Sequence, residues 1–237
     1  MSLDRRWPPD RLTAVLFDLD DTLIDSFDAR VAALERVFAK FDIRGRSAHE
    51  FMRDLGGNQL MIALEHLESE LGSTVGLYEA YRVLYWTEET DTIRPFPGIE
   101  PLLTAISKAG LRTGVVTQKR RNFDIQGRSA GAMREVSQVG LSEAFPVVIG
   151  MEDVTRFKPH PEGIRLAMKI LGAHPTSTLM VGDSFPDMEA GRAAGCWTCH
   201  ATWGLPVGSG ALGGVRPDIV AASPDELRTL ILGLPGN

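Results

Sequence analysis

The apolar positions of this chain change rhythm twice. Thr13-Ala-Val-Leu-Phe17 is a short unbroken run of β-forming residues, the pattern of a strand buried on both faces. From 26 to 93 the rhythm is helical. Val31, Leu34, Val37 and Phe38 fall on one face, Phe51 and Leu55 on a second, and Ile62, Leu64, Leu67 and Leu71 on a third. Tyr78 to Trp86 carries a fourth stripe, Gly56-Gly57-Asn58 separates the second from the third, and no segment there reads as a strand. Four such helices predict a small bundle. Pro95-Phe-Pro-Gly98 closes the block, because proline and glycine punctuate regular structure.

Beyond it, helix and strand alternate. The pattern predicts a helix over 100–109, a strand over 111–116, and a helical or irregular stretch over 120–139 weakened by Gly127 and Gly131. Strands follow at 146–150, 178–182 and 196–202, separated by helices at 161–171 and 186–194. A short edge strand at 218–221 precedes a last helix opened by Ser223-Pro-Asp-Glu226, a capped start. Alternation of this length predicts an α/β fold: a Rossmann-like parallel sheet with helices on both faces, carrying an inserted α-helical cap. The division read from the sequence is a tail at 1–10 with Trp7 against the surface, a core at 11–25 and 94–237, and a helical cap at 26–93. The Gly-rich 204–214 stretch reads as a long surface connection.

Charge narrows the partners. The formal net charge is -6 over 237 residues, which argues against a nucleic-acid backbone, since that requires a basic face. A local pocket can still attract a small anion. No apolar run approaches the roughly 18 residues of a membrane span, and the first ten residues have no secretory apolar segment. The expectation is a cytoplasmic protein with no membrane partner, monomeric or homodimeric. Cys196 and Cys199, with His200, match the spacing of a haem attachment. On a strand, residues three apart face opposite ways, so the two are read as reduced core thiols.

Chemistry concentrates where strands end, the place where open parallel sheets bind ligands. Asp18-Leu-Asp20-Asp-Thr22 follows the first strand and Asp183-Ser-Phe-Pro-Asp187 the fourth. Carboxylates gathered this way repel one another unless a cation relieves them, and a hard divalent ion with oxygen ligands suits them. Alone, the first stretch is equally a helix cap, and Asp187 has the competing reading of an ordinary first-turn acid; two acidic strand ends in one sheet weaken that reading. Val115-Val-Thr117-Gln118-Lys119 runs from a strand into a polar turn whose hydroxyl and amides suit a phosphate; a plain N-cap is the competing reading. Lys158, before Pro159-His-Pro161, can neutralise carboxylates and a phosphate oxygen together, or be an exposed loop lysine.

Taken in order, Asp18-x-Asp20-x-Thr22, Thr117, Lys158 and Gly182-Asp183-Ser184-x-x-Asp187 resemble the haloacid dehalogenase-like hydrolase superfamily. The likeness is to its phosphoglycolate-phosphatase-like members with a helical cap, and Phe96-Pro-Gly98 and Trp203-Gly204 look familial too. The resemblance implies a Mg²⁺-dependent phosphatase acting on a small phosphorylated metabolite. Asp18 would be the nucleophile that forms an aspartyl phosphate, and Asp20 the general acid and then base. Mg²⁺ would be held by Asp18, the main-chain carbonyl of Asp20 and Asp183, with Asp187 supporting the metal site directly or through water or Lys158. Thr117 and Gln118 would bind phosphoryl oxygens, and Lys158 would offset their charge. Gln118 stands where many relatives have Asn, and Asp21 where Gly is frequent. The presence of Asp20 disfavours a dehalogenase. No lysine lies between Lys40 and Lys108 to serve phosphonate cleavage. A phosphosugar mutase and a non-catalytic binding protein on this fold remain the alternatives. Gly56-Gly57-Asn58 is either a cap loop that approaches the site or a plain inter-helix turn, and Arg53 nearby could meet an anionic substrate group, although a solvated helix face is the favoured reading.

Overall fold

The structure is a computed structural model, and it describes Trp7 and residues 9–55, 60–72, 75–204 and 214–233. Gly56-Gly57-Asn58 and most of the 204–214 connection lie outside the described residues.

The chain opens with β1 (Ala14–Phe17), the short β2 (Ile24–Asp25) and four helices: α1 (Phe27–Lys40), α2 (Ala48–Asp54), α3 (Leu60–Glu70) and α4 (Leu77–Leu84). A π-helical turn (Tyr85–Glu89) and a 3-10 turn (Thr90–Thr92) lead to β3 (Arg94–Pro95). The second part comprises α5 (Ile99–Lys108), β4 (Arg112–Val116), β5 (Phe123–Ile125), β6 (Arg128–Ala130), α6 (Ala132–Gln138), β7 (Val147–Ile149) and α7 (Glu162–Leu171). It ends with β8 (Thr178–Gly182), α8 (Phe185–Ala194), β9 (Trp197–Ala201), β10 (Ile219–Ala221) and α9 (Pro224–Leu232).

Among the described residues, six strands form one parallel sheet in the order β10-β9-β8-β1-β4-β7. Alternate residues of β1 feed two different cores. Val15 and Phe17 join the layer that contains α5, α6, α9 and the inserted helices, while Ala14 and Leu16 join the layer beneath α7 and α8. A parallel sheet covered on both faces requires such apolar strands. The thiols divide the same way, Cys196 into one layer and Cys199 into the other, and both are free and buried. Trp7 meets Trp197 edge to face at 5.7 Å. Among the described residues no helix is long and apolar enough to cross a membrane.

One stretch departs from the sequence reading. Residues 120–139 begin as a β-hairpin, β5 against β6, before α6 starts. Gln126 and Gly127 both have positive φ (52° and 74°), the backbone of a tight hairpin turn. Gly127 therefore shapes a turn, where the periodicity had suggested a weakened helix. The insertion joins the core through β2 and β3, which pair antiparallel, Ile24 with Pro95 and Asp25 with Arg94.

Candidate active site

Register decides which residues meet. Phe17 lies beside Val115 on one side and Val181 on the other. Asp18, one residue on, therefore leaves the sheet level with Val116 and Gly182, and Thr117 and Asp183 follow at the same edge. The Asp18 amide continues the ladder by donating to Val181 O (2.9 Å), and the Thr117 amide donates to Ile149 O (3.0 Å).

Three carboxylates converge there. Oxygens of Asp18, Asp183 and Asp187 all lie within 4.8 Å of one another. Asp187 comes from the first turn of α8, where its Oδ2 accepts from the Ser184 amide (3.1 Å) and hydroxyl (2.5 Å). Gly182 allows this close approach, because a Cβ there would sit 2.4 Å from Asp187 Cγ. Lys158 Nζ bridges Asp18 Oδ1 (2.5 Å) and Asp187 Oδ1 (2.6 Å) and donates to Val116 O (2.9 Å). Asp183 accepts from the Thr22 hydroxyl (3.1 Å). His200 Nε2 lies 3.0 Å from Asp183 O; a carbonyl only accepts, so this nitrogen carries the ring proton.

The electrostatics follow from burial. Asp18 is pushed up from 3.8 to about 7, chiefly by burial, with Lys158 pulling it down and Asp187 pushing it further up. Asp183 rises well above the carboxylate range through burial and then the charges of Asp21, Asp187 and Asp18. Lys158 is pushed upward: burial opposes its charge, but the two aspartates outweigh burial. One ammonium against three buried carboxylates leaves negative charge uncompensated. The donor set is all hard oxygen, which fits a divalent cation such as Mg²⁺.

Asp20 belongs to a separate network. Its Oδ1 accepts from the Ser26 hydroxyl and from Lys119 Nζ (2.7 Å). Lys119 also reaches Glu135 Oε1 (2.7 Å) and the Tyr85 hydroxyl (2.9 Å), and Tyr85 donates to Glu135 Oε1 (2.6 Å). Neighbouring Asp21 pairs with Arg30. Burial raises the Asp20 carboxyl, but Lys119, Arg30 and the hydrogen bonds from Lys119 and Ser26 outweigh it and hold it below its ordinary value. The carboxylate of Asp20 is thus not among the three that converge.

Thr117 is buried and caps no helix; its hydroxyl accepts from the Lys119 amide (3.2 Å). Gln118 is half-buried and faces a cleft of about 630 Å³ between α2, α3 and the strand ends, lined also by Arg46, Phe51, Ile62, Leu67 and Lys158. Ile62 is 57% exposed in it, and Arg46 is paired with Asp54 (2.6 Å). Arg53 pairs with Asp54 on an exposed face, the solvated helix face that its sequence context favoured.

Sequence reasoning gave no role at the site to Lys119, Glu135, Tyr85 or His200, and read Ser26 only as part of a hinge between cap and core. A signal existed for two of them. Glu135 sits in the apolar stripe formed by Ala132 and Val136 of α6 and its C-cap Val139, where an acid requires a buried partner. Lys119 is a cation placed just past a strand end.

The chain is similar to known proteins over most of its length. The family described as haloacid dehalogenase-like hydrolase matches residues 15–201. The N-acetylmuramic acid 6-phosphate phosphatase of Pseudomonas aeruginosa is 33% identical over 222 residues, covering 92% of this chain and 93% of that one. Pyrophosphatase PpaX of Oceanobacillus iheyensis is 27% identical over 221 residues, covering 93% and 97%. A HAD family hydrolase from Deinococcus radiodurans, solved with bound phosphate and sodium, superposes with a TM-score of 0.73 at 22% identity, covering 96% of this chain and 98% of that one.

Proposed function

The chain belongs to the haloacid dehalogenase-like hydrolase family, and on that footing we propose that it is a Mg²⁺-dependent phosphatase that cleaves a small phosphomonoester through an aspartyl phosphate on Asp18. The observation that carries this reading is the convergence of Asp18, Asp183 and Asp187 around Lys158 at one edge of the sheet. Asp18, Asp183 and Asp187, with the main-chain carbonyl of Asp20, would hold the ion. A bound Mg²⁺ would supply charge to the phosphoryl oxygens and favour the ionised form of Asp18.

The chain's own residues would then act in two steps. A carboxylate oxygen of Asp18 attacks phosphorus, and the bond from phosphorus to the leaving oxygen breaks as Asp20, which must carry a proton for this step against the pull of Lys119 and Arg30, gives that oxygen its proton. In the second step Asp20 takes a proton from water as the water attacks the same phosphorus, and the bond to Asp18 breaks to release phosphate. Thr117 and the Gln118 amide bind phosphoryl oxygens. Lys158 offsets the charge that spreads over them, and it holds Asp18 and Asp187 in place.

We assign residues 11–25 and 94–237 to the catalytic core and 26–93 to a cap that closes over the cleft. The cap wall supports an organic leaving group more than a second phosphoryl: Phe51, Ile62 and Leu67 are apolar, and Arg46 is already paired. The metabolite is met in the cytoplasm by a monomer or homodimer. Phosphate release from a panel of phosphomonoesters and pyrophosphate, with Mg²⁺, tests the reading. At least one monoester should turn over at a rate lost in Asp18→Asn. A protein inert on the whole panel, or an unaffected Asp18→Asn, rejects it.

A further inference from the structure

Asp20 is gripped from two directions. Ser26 stands just before α1, at the entry to the inserted helices, and Lys119 stands past β4 in the core. Among the described residues both hydrogen bonds fall on Oδ1. The other oxygen, Oδ2, is left to exchange a proton with a leaving group or a water. A carboxyl held by one oxygen presents the second in a fixed direction, and general acid–base catalysis requires that aim.

The grip of Lys119 is itself built. Its ammonium is shared among Asp20, Glu135 and Tyr85, and it faces the rings of Tyr85 and Trp86 at 4.9 and 5.5 Å. Glu135 is 1% exposed. Enclosing an ion pair so deeply is poor economy for stability alone; a device that fixes an orientation accounts for it better. Tyr85 comes from the π-helical turn that follows α4 near the end of the insertion, and it stacks on Tyr81 of α4 at 5.6 Å. Besides Ser26, a second link between the insertion and Asp20 therefore runs through one phenol and one ammonium.

We propose that Lys119 is a positioning residue for Asp20, and that Tyr85 makes its hold depend on the seating of the insertion. The inference rests on the phosphatase reading with Asp20 as acid and base. Lys119 touches neither phosphorus nor the leaving group; it sets where Oδ2 points.

The test compares wild type, Asp20→Asn, Lys119→Met, Lys119→Arg and Tyr85→Phe with Mg²⁺. The substrates are an alkyl phosphate that the wild type turns over and p-nitrophenyl phosphate, whose leaving group departs without a proton. For Lys119→Met the expected result is a kcat on the alkyl phosphate lower by about 10²-fold. KM and the rate of the initial nitrophenolate burst should each stay within about threefold, because phosphoryl transfer to Asp18 needs no proton there. Lys119→Arg should recover most of the loss, and Tyr85→Phe should show the same signature at several-fold. A raised KM with kcat kept would make Lys119 a substrate-binding residue and overturn the proposal. Equal losses on both substrates, burst included, would make its role structural and overturn it as well. Should Lys119→Met fail to fold, Tyr85→Phe decides, since it removes only a hydroxyl; wild-type kcat there ends the coupling to the insertion. An inert wild type, or an Asp20→Asn with no selective loss, defeats the phosphatase reading and this inference together. A selective Asp20→Asn beside an indifferent Lys119→Met defeats the inference alone.

Discussion

Asp18 and Asp20 stand two residues apart in unlike surroundings. The first shares Lys158 with Asp187 among converging carboxylates, and the second is held by Lys119 and Ser26. Their substitutions should differ accordingly. Asp18→Asn should abolish turnover, and no label from phosphorylated substrate should be trapped. Asp20→Asn should lose roughly 10² to 10⁴ on an alkyl phosphate, less in the first step on p-nitrophenyl phosphate, and should accumulate phosphoenzyme, read as a mass increase on the peptide holding Asp18. Identical losses without adduct would contradict the division of roles. Gly182→Ala makes a second prediction at this scale. Its Cβ would fall 2.4 Å from Asp187 Cγ, so the acid must shift. The expected cost is about 1–3 kcal/mol of stability, measured by urea unfolding, together with weaker Mg²⁺ activation; an unchanged midpoint and activation would refute it. The aspartates were legible because strand ends can be read from apolar runs. The position of Lys119 past a strand end was legible, but its role was not, because its partners Glu135 and Tyr85 are 16 and 34 residues away and only packing unites them.

At the scale of elements, the helices and sheet strands follow their apolar periodicity to within a residue or two, for instance Thr178–Gly182. The β5–β6 hairpin did not. Its strands have three residues each and contain Asp124, Arg128 and Ser129, too short and polar for an alternation to register. What holds it is tertiary: Phe123 meets Trp86 edge to face at 5.5 Å, and Arg82 lies over the Phe123 ring at 4.7 Å. This packing changes how the insertion should be removed. Excising 27–93 would take Tyr85 and Trp86 with it and expose Glu135. Excising 27–84, with a short bridge to Tyr85, leaves both in the chain. We expect the shorter excision to retain slow turnover of small aryl phosphates with selectivity lost. We expect the longer one to have the lower melting temperature. Unchanged substrate preference in either would show that these helices do not select the substrate.

For the whole molecule, the proposed metal site predicts that stability depends on metal and pH together. Without metal, burial raises Asp18 from 3.8 to about 7, and Asp183 moves the same way. Between these pH values the unfolded chain has released the Asp18 proton and the folded chain still holds it. The folded state binds more protons, so metal-free stability falls as pH rises through that window. Mg²⁺ competes with those protons, so its stabilisation should grow over the same range. Thermal melts with Mg²⁺ and with a chelator should differ more at pH 8 than at pH 5; an equal increment at both would count against the cluster as the binding site. The chelator should also abolish turnover, with Mg²⁺ restoring it.

The grip of the core on the last turns of the insertion has a further consequence. Arg134 donates to Trp86 O (3.1 Å), Arg128 to Thr87 O (3.0 Å) and Gln138 to Thr90 O (2.6 Å). Every one of these acceptors is a main-chain oxygen, which any amino acid carries. A fastening of that kind is blind to the side chains it fastens. Side chains of the insertion can therefore change, at Arg46, Ile62 or Leu67 for example, without these fastenings having to be renegotiated.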